Sequence, residues 1–142
     1  MKLKNTLIFA LLVAGLAACA TAKEQHLQDG FRVMTGEEIV SVFSGQTVEG
    51  RYSDGRGVFV EFRSADGRLT TIESDGRTYH GTWSVDGDWL CFIYTDFPVK
   101  KCVEVLTKDG RYVDIRTGGR EFGKFTDITS IQPGNVNNLP LK

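Results

Sequence analysis

Short apolar runs separated by turn residues dominate the chain from about residue 46 onward. Within these runs apolar and polar side chains often alternate, as in Val-Phe-Val-Glu-Phe-Arg at 58–63, and a period of two is typical of β-strands. Asp-Gly dipeptides lie between the runs, at 54, 66, 75, 86 and 109, and this pair readily adopts the positive φ angles of tight hairpin turns. The predicted strands cover 46–53, 58–64, 69–74, 78–85, 88–94, 100–107, 111–117 and 122–128.

This pattern predicts a mainly β fold, an antiparallel meander of about eight strands that forms a small barrel or a sandwich. We place the β domain at 34–128. The sequence from 129 to 142 has turn and amide residues but little apolar pattern, so we expect a weakly ordered tail there.

One short N-terminal helix is predicted before the sheet, in the sequence MTGEEIVSVFSGQ. Thr35 and Glu38 have the spacing of a capping box, and Ile39 and Phe43 share one helical face. We expect this helix to plug one end of the sheet.

The first residues have the layout of a secretory signal peptide. Lys2 and Lys4 precede an apolar stretch of about ten residues at 6–15, and polar sequence begins at residue 21. This stretch is too short to cross a bilayer, since a transmembrane helix needs roughly 20 apolar residues. We therefore predict an export signal at 1–18. An ordinary cleavable leader, cut at a small-x-small site at 18–20 or 20–22, is the alternative.

The four residues Leu16-Ala17-Ala18-Cys19 resemble the lipobox of bacterial lipoproteins. The resemblance implies cleavage before Cys19, a diacylglycerol thioether on its sulfur and an acylated amine, which together anchor a protein in a membrane. Ala20, where sorting systems that retain lipoproteins in the inner membrane use aspartate, implies the outer membrane, with the domain facing the periplasm. Residues 19–33 would then form a tether.

Cys91 and Cys102 lie in two neighbouring predicted strands. A hairpin centred between Asp96 and Phe97 places the two cysteines opposite each other, in reach of a disulfide. We predict a structural disulfide, worth about 3 kcal/mol in the chain-entropy model. A metal or redox pair is the alternative, but ten intervening residues do not make a Cys-x-x-Cys motif. Because acylation of Cys19 uses the third cysteine, no odd thiol remains.

The composition is that of an ordinary globular protein. The chain has 142 residues, 41% of them apolar and 25% charged, which is typical of one globular domain. The formal net charge is −1, and loss of Lys2 and Lys4 with the leader leaves 15 basic and 18 acidic residues. This balance gives no electrostatic case for a nucleic-acid partner. The mixture Val-Glu-Phe-Arg at 60–63 is ordinary strand alternation.

The sequence has no motif that indicates catalysis. His26 and His80 are far apart, and no serine has a Gly-x-Ser-x-Gly context. The segment VDGDW at 85–89 lacks the later glutamate of a calcium loop, so a hairpin turn is the better interpretation. We predict a protein that is not an enzyme and that has no cofactor and no metal.

The segment from 34 to 106, with Gly81-Thr82-Trp83 followed by Cys91 and Cys102, resembles an uncharacterised family of small secreted bacterial β proteins. That resemblance implies a β fold and brings no known activity. We expect Trp83 and the aromatic residues after it to serve core and hairpin packing rather than to line a ligand cavity.

Three functions remain open. The first is a lipid-anchored binding or interaction module of the cell envelope, with an unknown envelope protein or small ligand as partner. The second is a periplasmic inhibitor of a lysozyme or protease, for which the loop TDFPVKK at 95–101 is the candidate element. The third is a structural envelope component. A cavity above about 300 Å³ lined by aromatic residues would support ligand binding.

Overall fold

The computed structural model describes residues 21–118 and 123–142. Its elements in chain order are α1 (Ala22–Gln28), β1 (Arg32–Val33), α2 (Gly36–Phe43), β2 (Gln46–Tyr52), β3 (Val58–Arg63), β4 (Arg68–Glu73), β5 (Thr78–Asp86), β6 (Trp89–Tyr94), β7 (Phe97–Lys108), β8 (Arg111–Arg116) and β9 (Phe125–Pro133). The mainly β fold is confirmed, and two short helices accompany the sheet where one was predicted. Neither helix is long and apolar enough to cross a membrane, nor is any other helix in the described ranges.

The sheet closes into an antiparallel barrel. Strands β2 to β8 each pair with the next strand along the chain, and β9 pairs back onto β2, with Val48 opposite Ile131. The closure decides between the two predicted architectures, because a sandwich would leave open edges. The short strand β1 lies outside this ring and pairs with the end of β7, where Arg32 faces Thr107.

Helix α2 plugs one end of the barrel, as predicted. The Thr35 hydroxyl accepts a hydrogen bond from the Glu38 amide at 3.3 Å, and the Glu38 carboxylate accepts one from the Thr35 amide at 2.9 Å, which completes the capping box. Ile39 and Phe43 are fully buried. They belong to one apolar cluster with inward-facing residues of the barrel strands, among them Leu69, Val48, Trp83, Leu90, Val103 and Val105.

The segment predicted as a tether at 19–33 is largely folded onto the barrel. Helix α1 has its own capping box between Thr21 and Glu24, and Lys23 forms an ion pair with Glu104 of β7 at 2.6 Å. Phe31 is 6% exposed and belongs to a second apolar cluster, with Leu106, Val113 and Ile115 of β7 and β8. The Thr-x-x-Glu spacing at 21–24 is the signal in the sequence that indicates α1. Cys19 and the predicted signal peptide at 1–18 lie outside the described residues.

The C-terminal residues are also bound to the barrel, which corrects the expectation of a weakly ordered tail at 129–142. Strand β9 extends to Pro133, and beyond it the Thr47 and Thr70 hydroxyls donate hydrogen bonds to the carbonyls of Gly134 and Pro140. The Asn135 side chain makes two hydrogen bonds of 2.8 Å with the backbone of Leu139. Amide residues that suggested disorder therefore form a compact turn against β2 and β4.

The predicted disulfide between Cys91 and Cys102 is present, and the two residues are direct partners across the hairpin of β6 and β7. The turn itself is tighter than expected. Tyr94 pairs with Phe97, so only two residues connect the strands, and Pro98 lies within β7.

Candidate binding cavity at the open end of the barrel

The end of the barrel opposite α2 contains a cavity of about 320 Å³. Residues from all eight barrel strands line it. Its aromatic lining consists of Tyr52, Phe59, Tyr79, Phe92, Tyr94 and Phe97. This volume lies at the lower end of the range for small-molecule sites.

A glycine contributes to the shape of the cavity wall. Gly50 lies on β2 between the inward residues Val48 and Tyr52. A Cβ atom on Gly50 would lie 2.5 Å from the ring of Phe59 and 3.0 Å from the methyl group of Thr126. The absent side chain therefore leaves room for the Phe59 ring inside the barrel.

A buried ion pair forms the floor of the cavity. Arg63 and Glu61 of β3 are 1% and 3% exposed, and the Arg63 Nε–H donates to Glu61 Oε1 at 2.7 Å. The guanidinium also lies over two aromatic rings, 4.8 Å from the centroid of Phe43 in α2 and 5.2 Å from that of Phe92 in β6. These contacts hold a buried cation between the apolar core and the cavity.

Hydroxyl groups satisfy the carboxylates near this floor. Glu61 Oε2 accepts hydrogen bonds from the Thr71 hydroxyl and, at 3.3 Å, from Tyr94. Glu73 accepts one from the Tyr52 hydroxyl at 2.8 Å. Burial, with a further contribution from the neighbouring carboxylates, raises the pKa of both tyrosines. They therefore remain protonated donors.

Asp114 of β8 reaches the floor from the far side of the barrel. Its Oδ2 lies 3.9 Å from Arg63 Nη2. Burial raises the pKa of Asp114 to about 6; the charge of Arg63 lowers it and that of Glu61 raises it further. The other oxygen, Oδ1, and Arg63 Nη1 are both buried without a hydrogen-bond partner among the described residues. The floor thus presents one unused donor and one unused acceptor.

The mouth of the cavity is basic. Its cationic residues are Arg56, Arg77, Lys101 and Arg116. Together with Arg63 they give five cations in the lining, against the three carboxylates described above. Arg56 and Arg77 are paired with Asp54 and Asp75 at 2.9 Å and 2.6 Å, and neither aspartate belongs to the described lining. The lining itself therefore carries more cations than carboxylates.

Two of these arginines are held over tyrosine rings. Arg56 lies 4.2 Å from the ring centroid of Tyr52 and forms an ion pair with Asp54 at 2.9 Å. Arg77 lies 5.9 Å from the centroid of Tyr79. The aromatic wall and the basic mouth are therefore one continuous surface.

The residues singled out from the sequence mostly lie elsewhere. His26 contacts the rings of Phe31 and Phe125 outside the barrel, and His80 lies beside the Thr70 hydroxyl at 3.0 Å.

Trp83 is in the core, as expected, and its indole N–H donates to the Ser64 carbonyl at 2.8 Å. The expectation of packing alone is wrong for two aromatic residues of β6, since Phe92 and Tyr94 line the cavity.

The buried ion pair at the cavity floor is not predicted from the sequence. The alternation at 60–63 is not ordinary strand alternation with its polar face outside, because its charged members Glu61 and Arg63 point into the barrel. The pattern has one apolar face, with Val60 and Phe62, and one charged face, with Glu61 and Arg63, but it does not state which face points inward. Because the closed barrel places the charged face inside, the two opposite charges form an internal ion pair.

The described residues contain no group of three or more His, Cys, Asp or Glu side chains that could hold a metal ion. No protein-family model, curated protein or solved structure matches this chain. The likeness to small secreted bacterial β proteins and the likeness to the lipobox therefore stay predictions.

Proposed function

We propose that this protein is a lipid-anchored protein of the bacterial cell envelope whose β-barrel binds a small molecule in the cavity opposite α2. The observation that carries the proposal is the cavity floor, where Arg63 Nη1 and Asp114 Oδ1 are buried beneath an aromatic wall and have no hydrogen-bond partner in the part of the chain that the structure describes. A buried polar group without a partner costs about 1–3 kcal/mol. A ligand that satisfies both atoms recovers this energy.

The same cavity weakens the hypothesis of a purely structural envelope component. A structural barrel gains most stability from a filled apolar interior, as at the α2 end. Here several charged side chains occupy inward positions that apolar residues would fill at lower cost. Charged residues inside a barrel lower its stability, and a protein keeps such residues where it uses them to bind a ligand.

Binding can be tested with three naphthalene probes that share one ring system: the neutral 2-naphthamide, the anionic 2-naphthoate and the cationic 2-naphthylmethylamine. At least one probe should perturb amide signals of cavity-lining residues in ¹H–¹⁵N NMR spectra. Thr126→Trp, which fills the lumen from β9, should abolish the effect. The matched control Thr129→Trp, at an exposed position of the same strand, should keep it. If no probe binds the wild-type protein, the proposal is wrong.

The membrane anchor rests on the lipobox resemblance of residues 16–19, and Cys19 is the decisive residue. Lipid on this sulfur would place the barrel on the periplasmic face of the outer membrane. Cys19→Ala should abolish metabolic labelling with a palmitate analogue and release the protein from membranes. Cys91→Ser should leave labelling unchanged. Persistent membrane attachment of the Cys19→Ala protein would contradict the anchor.

A second candidate function is inhibition of a periplasmic lysozyme or protease through the β6–β7 hairpin. Phe97 and Val99 are 57% and 66% exposed beside the strand pair that the disulfide joins. Exposed apolar side chains on a braced hairpin are suited to insertion into a cleft. If this function holds, Val99→Asp should abolish inhibition of the target enzyme and leave probe binding in the barrel intact.

A further inference from the structure

We infer that the ligand of this cavity is a small amphipathic monocarboxylate, whose carboxylate meets Arg63 at the floor while its apolar part lies against the aromatic wall. This inference rests on the proposed function and specifies the chemical class of the ligand.

The sign of the ligand's charge follows from the lining. A ligand that reaches the floor passes the cations at the mouth, of which Lys101 and Arg116 lie on β7 and β8. A cationic ligand would be repelled there and again by Arg63. An anion is attracted at each stage, and the low-dielectric wall strengthens that attraction.

The available hydrogen bonds favour an oxyanion at the floor. Arg63 uses Nε for Glu61, and its Nη2 lies 3.9 Å from Asp114, while Nη1 has no hydrogen-bond partner within residues 21–118 and 123–142. A guanidinium has donors suited to planar carboxylate oxygens. The carboxylates Glu61 and Glu73 already accept hydrogen bonds from neighbouring hydroxyl groups. Arg63 Nη1 is therefore left for the carboxylate of a ligand.

The ligand carries one negative charge rather than two. Glu61 and Asp114 both lie beside Arg63, and a phosphate dianion would be repelled by them. A carboxylate can instead share one proton with Asp114 Oδ1, which is buried and receives no hydrogen bond from any described residue. The charged groups that act on Asp114 are Arg63, Glu61 and Arg116. Two of them are positive and one is negative, so their net positive charge favours the addition of a single anion.

The aromatic wall accommodates the apolar part. The rings of Phe92 and Tyr94 are nearly parallel, with an interplanar angle of 15° and centroids 6.4 Å apart. Phe97 continues this wall to the mouth, where it is more than half exposed. A volume of about 320 Å³ suits one ring system or a medium acyl chain that extends toward the mouth.

The naphthalene series tests the charge, and titration calorimetry gives the affinities. 2-Naphthoate should bind at least tenfold more tightly than 2-naphthamide, and 2-naphthylmethylamine should bind most weakly. Octanoate in place of naphthoate distinguishes an acyl chain from a ring, and tight binding of either carboxylate supports the inference. If the amide or the amine binds best, the ligand class is wrong while the binding function stands. If no probe binds, the binding function itself fails.

Two adjacent lysines provide a matched pair of variants. Lys101 lines the cavity, whereas Lys100 forms an ion pair with Asp86 at 2.7 Å outside it. Lys101→Glu should weaken naphthoate binding about tenfold and leave naphthamide binding within twofold. Lys100→Glu should change neither by more than about twofold. Both positions are exposed, so the folded state should tolerate the substitutions.

Arg63→Gln probes the floor directly and should remove the preference for naphthoate over naphthamide. If that variant does not fold, the lysine pair still decides the question. If Lys101→Glu weakens binding of the anionic and the neutral probe equally, the inference is overturned. The residues at the mouth would then select a ligand by its shape and not by its charge.

Discussion

The two halves of the barrel lumen are built by the same strands from different side chains. Toward α2 the inward positions are apolar, as at Leu69 on β4 and Leu90 on β6, and Phe43 closes the end. Toward the open end the same two strands present Glu73 and Tyr94. One set of strands thus combines a dry core with a polar cavity.

This difference separates the part that stabilises the fold from the part available for binding. A closed apolar core contributes most of the stability of a small domain. Buried charges are tolerated beside such a core only where other groups satisfy them. Arg63 lies at the boundary, since Phe43 from the plug and Phe92 from the cavity wall contact its guanidinium.

Removing the plug aromatic should give the largest effect. Phe43→Ala deletes a fully buried ring and should lower the free energy of unfolding by about 4 kcal/mol in urea denaturation. Val40→Ala, on the exposed side of the same helix at 46% exposure, should cost less than about 0.5 kcal/mol. Similar losses at both positions would contradict the assignment of α2 as the plug.

Much of this architecture could be predicted from the sequence. Asp-Gly turns and alternating runs located all eight barrel strands, and the Thr35–Glu38 spacing located α2. Cys91 and Cys102 could be paired by a symmetric hairpin centred between Asp96 and Phe97, although the turn lies one residue earlier and a register shift between Phe92 and Tyr94 brings the two cysteines opposite each other. These features are local, and local chemistry determines them.

The cavity could not be predicted, because it depends on contacts across the barrel. Asp114 lies far from Arg63 along the chain, and their proximity requires the closure of the sheet. The contacts on the outside of the barrel also join residues that are distant in the chain. The C-terminal segment, which accepts hydrogen bonds from Thr47 and Thr70, buries a strand face there. Alternation identifies two faces of a strand but does not state which face is inside.

Breaking the floor ion pair should give the next largest effect. Glu61→Ala leaves Arg63 as a buried cation without its nearest counter-charge, and should cost about 3 kcal/mol in unfolding free energy. The double variant Glu61→Met with Arg63→Met should recover much of this loss, because it removes both charges. A double variant as unstable as the single one would show that the pair contributes through packing instead.

The smallest expected effect is a pH dependence from Asp114. Burial raises its pKa from 3.8 to about 6, so the folded protein holds this proton more tightly than the unfolded chain. The associated stability is therefore fully present below about pH 4 and is lost as the pH rises through about 6. Between pH 4 and 8 the free energy of unfolding of Asp114→Asn should rise relative to wild type by about 2 kcal/mol.

Asp114→Leu also lacks the titrating carboxyl. Its free energy of unfolding should therefore change with pH as that of Asp114→Asn does, whatever the substitution does to packing. The comparison is made by urea denaturation of the three proteins at several pH values without ligand. A slope shared by wild type and both variants would mean that Asp114 is charged at the cavity floor throughout this range. The open half of the lumen would then hold a permanent anion, and a bound carboxylate could not share its proton.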